Sequence, residues 1–104
     1  MIDSDKLFAD YKAQLERATQ QKAKAEQDYI AAKREHDIAR AKRISFYVSE
    51  EGGGFPHNQA AEKALVDVVE LRTEMDNKYL VFKIFKDIVK VETNREWEVA
   101  KYGH

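Results

Sequence analysis

The sequence predicts an all-α fold: a long antiparallel two-helix hairpin of the coiled-coil type. Three observations predict it. Residues at alternating steps of three and four describe one stripe from Phe8 to Phe46, the repeat of a single helix face. Three of the four glycines form one triplet, Gly52–Gly54, followed at once by Phe55 and the only proline, Pro56. From residue 58 to Tyr102 neither glycine nor proline interrupts the chain again. The composition agrees, because 43% hydrophobic and 36% charged residues suit long helices better than a compact mixed fold. At 104 residues the chain reads as one domain over 1–104.

Helix 1 is expected over about residues 4–48. Asp3 or Ser4 offers a side-chain oxygen to the open N–H groups of its first turn. At about 1.5 Å per residue it would run roughly 65–70 Å. Its stripe alternates two kinds of position. The first reads Phe8, Leu15, Lys22, Tyr29, His36, Arg43, and the second Tyr11, Ala18, Ala25, Ala32, Ala39, Phe46. Alanine at the second position lets a partner helix come close. The remaining faces of helix 1 read as polar.

The turn is expected over residues 49–57, from Ser49 to His57. Three glycines cost helix stability and accept left-handed dihedrals. Pro56 suits the first turn of a new helix, where its missing N–H does no harm, and Asn58 is the other credible cap.

Helix 2 is expected over about residues 58–102, with Gly103 ending it. Tyr79–Val91 is rich in β-branched and aromatic residues, which alone suggests a strand. The spacing of Lys83, Lys86, Asp87, Lys90 and Asn94 is that of a helix face instead. Folding the chain at the glycines makes residue i face roughly residue 104 − i. Leu15 then meets Val89, Ala18 meets Phe85, Ala25 meets Tyr79, Ala32 meets Leu71, and Phe8 meets the region of Trp97. Large residues fall opposite alanines, as dense packing requires.

Helix 2 carries two apolar stripes. One is Ala61, Ala64, Val68, Leu71, Met75, Phe82, Phe85, Val89; the other is Val81, Ile84, Ile88, Val91, continuing to Tyr102. A two-helix hairpin covers one stripe per helix. The second is therefore expected to form a dimer or partner interface, with two hairpins associating into a four-helix bundle. The competing expectation is that helix 1 kinks and folds back over it.

Several function classes lose ground on composition. The chain has no cysteine, so neither a disulfide framework nor a thiolate metal site exists. The opening Met1-Ile-Asp-Ser-Asp is acidic and polar, unlike a signal peptide, and no apolar run is long enough to span a bilayer. A cytoplasmic protein with no membrane partner is expected. A net charge of −1 and a pI near 6.3 do not describe a general polyanion binder.

No motif points to catalysis. Histidine in the seam could suggest a metal bundle, but a Glu-x-x-His pair needs a carboxylate at position 33, which is Lys. His36 reads instead as a partly buried seam residue near acidic residues of helix 2 such as Asp67. The glycine triplet lacks the lysine and hydroxyl of a nucleotide loop, and Glu50 and Glu51 would repel an anion. The only serines, Ser4, Ser45 and Ser49, have no catalytic company. The expectation is no enzyme, no cofactor and no metal.

Two further surfaces remain. Lys33, Arg34, Arg40, Lys42 and Arg43, against Glu35 and Asp37, give the segment 33–43 a charge of +3. Such a segment can grip phosphates, or match the acidic start of helix 2 across the hairpin in weak surface pairs. Phe55 is either an exposed partner contact at the hairpin tip or a staple for the start of helix 2.

In length, hairpin form and central glycine turn the chain is similar to the small secreted WXG100 proteins. Their Trp-x-Gly turn is Gly-Gly-Gly-Phe-Pro here, and the only tryptophan is Trp97, so that family's export role does not carry over. The segments Lys22-Ala-Lys-Ala-Glu-Gln-Asp-Tyr, Gln59-Ala-Ala-Glu-Lys-Ala-Leu and Arg95-Glu-Trp-Glu-Val-Ala-Lys-Tyr also resemble short coiled-coil proteins encoded by bacteriophages, some of which sit beside recombination or DNA-metabolism genes. That resemblance implies a phage or mobile-element accessory protein. The expected function is thus a non-enzymatic protein-interaction module and homodimer that binds another macromolecule. The alternatives are a nucleic-acid-associated accessory protein using the basic segment and a WXG100-like secreted hairpin.

Overall fold

A computed structural model describes the backbone of residues 4–102 and the side chains of residues 4–95. Among the described residues the order is α1 (Ser4–Val48), α2 (His57–Asp67) and α3 (Val69–Tyr102), with no strand. The fold is an all-α helical hairpin. Expectations resting on Asp3, Gly103, His104 and the side chains of Trp97 and Tyr102 lie outside the described residues.

Two compact units divide the chain. One is Asp28–Lys78; the other joins Met1–Gln27 to Tyr79–His104.

In the first unit α1 ends where Ser49 N–H donates to Ser45 O at 3.1 Å and Gly54 N–H donates to Ser49 O at 2.8 Å. Phe55 N–H then donates back to Tyr47 O at 2.9 Å, so the chain has reversed by residue 55. The glycines are needed for two separate reasons. Gly53 and Gly54 have φ of 114° and 62°, the left-handed region that a Cβ disfavours. At Gly52 the obstacle is approach, since a Cβ there would lie 1.9 Å from the Phe46 carbonyl oxygen. Pro56 caps α2 with its carbonyl, which accepts from Ala60 N–H at 2.9 Å. Asn58 lies inside the first turn of α2 and is not the cap.

The single second helix expected over residues 58–102 is interrupted. Val68 has φ −105° and ψ 18° and separates α2 from α3. Its N–H still donates to Ala64 O at 3.1 Å, and its carbonyl accepts from Arg72 at 2.9 Å. The helical dihedrals lapse at Val68 while its own backbone hydrogen bonds are kept. No glycine or proline is responsible. Val66, Val68 and Val69 crowd three β-branched side chains into four positions, and each loses χ1 freedom in a helix.

The inward residues of this unit are Tyr29, Ala32, His36, Ala39, Arg40, Arg43, Ile44 and Tyr47 on α1. On the returning chain they are Ala60, Ala61, Ala64, Leu65, Val68, Leu71, Met75 and Lys78. Ala60 and Ala64 are fully buried. Close to the turn, therefore, the size relation runs opposite to the expected one: α1 supplies the long side chains and α2 the alanines. Phe46 is exposed, and Tyr47 takes its seam position.

In the second unit the inward residues are Phe8, Tyr11, Leu15, Ala18, Lys22 and Ala25 on α1, against Phe82, Phe85, Val89 and Glu92 on α3. Here the seam holds the buried alanines Ala18 and Ala25 of α1 and the half-buried Phe82 and Phe85 of α3. Both runs step by three and four, the knobs-into-holes repeat of a coiled coil. No large side chain among the described residues is fully buried. The helices cover one another along a seam and enclose no interior.

The mirror rule needs correction. It places Ala61 opposite Arg43 and Thr93 opposite Tyr11. Arg43 instead bonds Asp67, and the Arg95 guanidinium lies over the Tyr11 ring at 5.2 Å. Tyr79, expected against Ala25, is exposed, whereas Phe82 is half-buried. Helical side chains lean toward the N-terminus of their own helix, so those of α1 reach away from the turn and meet residues further along the returning chain.

Candidate functional site

The most elaborate polar arrangement lies near the turn. Arg43 Nε donates to Asp67 Oδ2 at 2.8 Å, and the Tyr47 hydroxyl donates to the same oxygen at 2.5 Å. Arg43 Nη2 closes the ring by donating to the Tyr47 hydroxyl oxygen at 3.1 Å. The Tyr47 hydroxyl and then Arg43 hold the Asp67 carboxyl below the usual aspartate range. The same partners, Tyr47 ahead of Asp67, favour the charged guanidinium of Arg43. Rings surround the group. The guanidinium lies 4.7 Å from the Phe46 centroid and 5.0 Å from that of Tyr47, within cation–π range. Tyr47 meets Phe46 and Phe55 edge-on, at 5.4 and 6.3 Å.

The chemistry of this cluster is that of a clamp. Each polar atom named is engaged by another member of the cluster. It ties α1 to the last residue of α2 beside the break at Val68. It also carries the charge match expected between the basic segment and the acidic start of helix 2.

The sequence-derived site residues separate accordingly. Of the five basic residues, Arg43 belongs to the clamp, and Lys33 is ion-paired to Asp37 at 2.9 Å. Arg40 is half-buried, its Nε shielded from solvent without a hydrogen-bond partner. Arg34 and Lys42 face solvent on the outer side of α1, lining one shallow groove with Ile38 and Leu71. The five do not form one cationic surface. Phe55 is half-buried, with Lys63 Nζ 4.5 Å from its centroid and its ring lying where a Gly53 Cβ would point. It staples the turn more than it projects from it.

His36 is buried, and the carboxylate it bonds is that of Asp37. Its Nδ1 meets Asp37 Oδ1 at 3.0 Å. A carboxylate can only accept, so the ring donates through Nδ1. Lys33 first, then His36, hold the Asp37 carboxyl down. Among the described residues no group of three or more His, Asp or Glu side chains is placed to hold a metal ion. No helix among them is long and apolar enough to cross a membrane.

The remaining candidate surface is apolar. Val81, Ile84, Ile88 and Val91 are 44, 57, 40 and 60% exposed. α1 is unbroken from Ser4 to Val48 and does not fold back over them. Two exposed isoleucines on α1, Ile30 and Ile38, were missed because helix 1 read as polar outside its seam. Their spacing, with Arg34 midway, was the available signal, since residues four apart share a face.

No family model matches the chain, nor does any curated protein or solved structure.

Proposed function

We propose that the protein is a non-enzymatic interaction module whose working surface is the outer face of α3, and that a second copy covers this face to form a four-helix bundle. One observation carries the reading: Val81, Ile84, Ile88 and Val91 keep the three-four repeat of a helix seam yet face solvent. Scattered exposed apolar residues need no explanation, but a contiguous stripe marks an interaction surface. Covering a large apolar side chain fully is worth about 1.5–3 kcal/mol. Each of these four is already partly covered, so eight of them across a dimer supply a part of that apiece. That is enough to compete with an association cost of roughly 4–15 kcal/mol when neighbouring contacts are added.

The test is light scattering on the chromatographed protein over a range of concentrations, beside the Ile84→Glu, Ile88→Glu double variant. The expected outcome is a wild-type dimer and a helical monomeric variant. A wild-type monomer at micromolar concentration would overturn self-association. A variant that remains fully dimeric would place the interface elsewhere.

A further inference from the structure

Resting on the reading of the outer α3 face as a self-association surface, we infer that the two copies pack antiparallel, about a twofold axis midway between Ile84 and Ile88. Two observations lead there. The first is the order of side chains. From Asn77 the outer seam runs Asn77, Val81, Ile84, Ile88, Val91, Arg95, and its apolar part reads Val, Ile, Ile, Val from either end. Any seam centred between two core positions has symmetric spacing; symmetric identity is additional. The inner seam of the same helix, Phe82, Phe85, Val89, Glu92, lacks it. An isologous interface must be complementary to itself. Turned about this axis, Ile84 meets Ile88 of the other copy, Val81 meets Val91, and polar Asn77 meets polar Arg95. The apolar patch covers itself without overhang.

The second observation is the angle between the seams. Each outer-seam residue precedes an inner one by a single position: Val81 precedes Phe82, Ile84 precedes Phe85, Ile88 precedes Val89 and Val91 precedes Glu92. One residue is about 100° of helix rotation, close to the corner of a square bundle. α1 occupies the inner direction and the second copy would occupy the outer one. A twofold perpendicular to the helices puts both α1 segments on the same side of the α3 pair, which is a four-helix bundle. A twofold parallel to the helices puts them on opposite sides and leaves an open zigzag.

The experiment exploits the absence of native cysteine. Ile84→Cys and Ile88→Cys chains, one tagged to distinguish them, are oxidised separately and as an equimolar mixture. A disulfide needs Cα atoms about 4.4–6.8 Å apart. Residues 84 and 88 of different copies meet that requirement in the antiparallel dimer, whereas residue 84 lies one helical turn from its own equivalent. The expected result is a mixed disulfide dimer at least several-fold in excess of either self-linked species. Asn77→Cys with Arg95→Cys, at exposed positions outside the apolar patch, repeats the test without disturbing packing. Self-linking of each variant alone at the rate of the mixture would establish a parallel pair. A dimer by light scattering with no cross-link from either pair would put the contact on another face. Both results overturn this inference while leaving self-association standing; a monomeric wild type removes both.

Discussion

Arg43 and Asp67 join the two arms of the hairpin through a 2.8 Å hydrogen-bonded ion pair, made by residues that the symmetric folding rule would hold a turn and a half apart. The pair is only half exposed on the arginine side, and the Tyr47 hydroxyl shares its carboxylate oxygen. Isolated surface ion pairs contribute little. Here three donors and acceptors close a ring over aromatic faces, and charge-assisted bonds in such a network reinforce one another.

A pH dependence follows from the direction of the Asp67 shift. Its carboxyl is held below the usual aspartate range by Tyr47 and then Arg43. A depressed carboxylate contributes stability above its unfolded pKa, about 3.9 for aspartate, and that contribution is lost as pH falls through the lower folded value. Thermal melts should therefore decline below about pH 4, the ordinary aspartate range. Asp67→Asn should lower the melting temperature at pH 7 and flatten that acid decline. Asp37, lowered in the same sense by Lys33 and His36, keeps some slope in the variant. Identical acid profiles for variant and wild type would show that the clamp has no thermodynamic role.

The turn makes a prediction about rank order. A Cβ at Gly52 would meet backbone, the Phe46 carbonyl, at 1.9 Å, whereas at Gly54 it would meet open space. Gly54→Ala should cost about 1–2 kcal/mol, the ordinary penalty of a left-handed residue, and Gly54→Asn less, because asparagine tolerates that region. Gly52→Ala has to displace the end of α1 and should cost more than either. Denaturant midpoints of the three variants check the order. Gly52→Ala proving the mildest would mean that the turn relaxes around it.

Both seams were legible in the sequence because their period survives polar substitutions: Lys22 and His36 hold inward positions on α1 although neither is apolar. Lys78 and Glu92 do the same on α3 and were passed over, since a stripe read from apolar residues alone skips them. The shift in register was not legible. It depends on the lean of Tyr47 and Arg43 toward α1's own N-terminus, which is a three-dimensional fact. The clamp was half legible: opposite charges on the facing segments were plain, but no pattern selected Asp67 over Glu62 or Glu70. The break at Val68 had a signal in the valine cluster, outweighed by the helical spacing on either side.

That break yields a test of propensity. Val66 is 73% exposed and Val69 is also exposed, so neither contributes much packing. Replacing both with alanine removes two side chains that lose χ1 freedom in a helix. At up to about 0.7 kcal/mol per residue in helix propensity, the double variant should gain roughly 1 kcal/mol. Chemical denaturation should show a higher midpoint at unchanged slope. A loss of stability would show that the interruption at Val68 is imposed by packing around its buried side chain and not by the valines beside it.

The alanine seam itself is tested by comparing two alanines two residues apart. Ala25 is 6% exposed and belongs to the inward run with Ala18, while Ala23 faces solvent on the same helix. Both are good helix formers and so is leucine, so propensity changes almost equally at the two positions. Packing does not. Leucine at 25 must push into space already occupied beside half-buried Phe82 and Phe85, and overpacking of this kind typically costs about 1–3 kcal/mol. At position 23 the change should stay within about 0.5 kcal/mol. For a domain of this size 1 kcal/mol corresponds to about 4–8 °C in melting temperature. Ala25→Leu should therefore melt well below Ala23→Leu, both measured at one protein concentration because the proposed self-association would make the midpoint concentration-dependent. Equal melting temperatures would mean that the helices can separate to admit leucine, and that close approach along the alanine seam does not hold the hairpin closed.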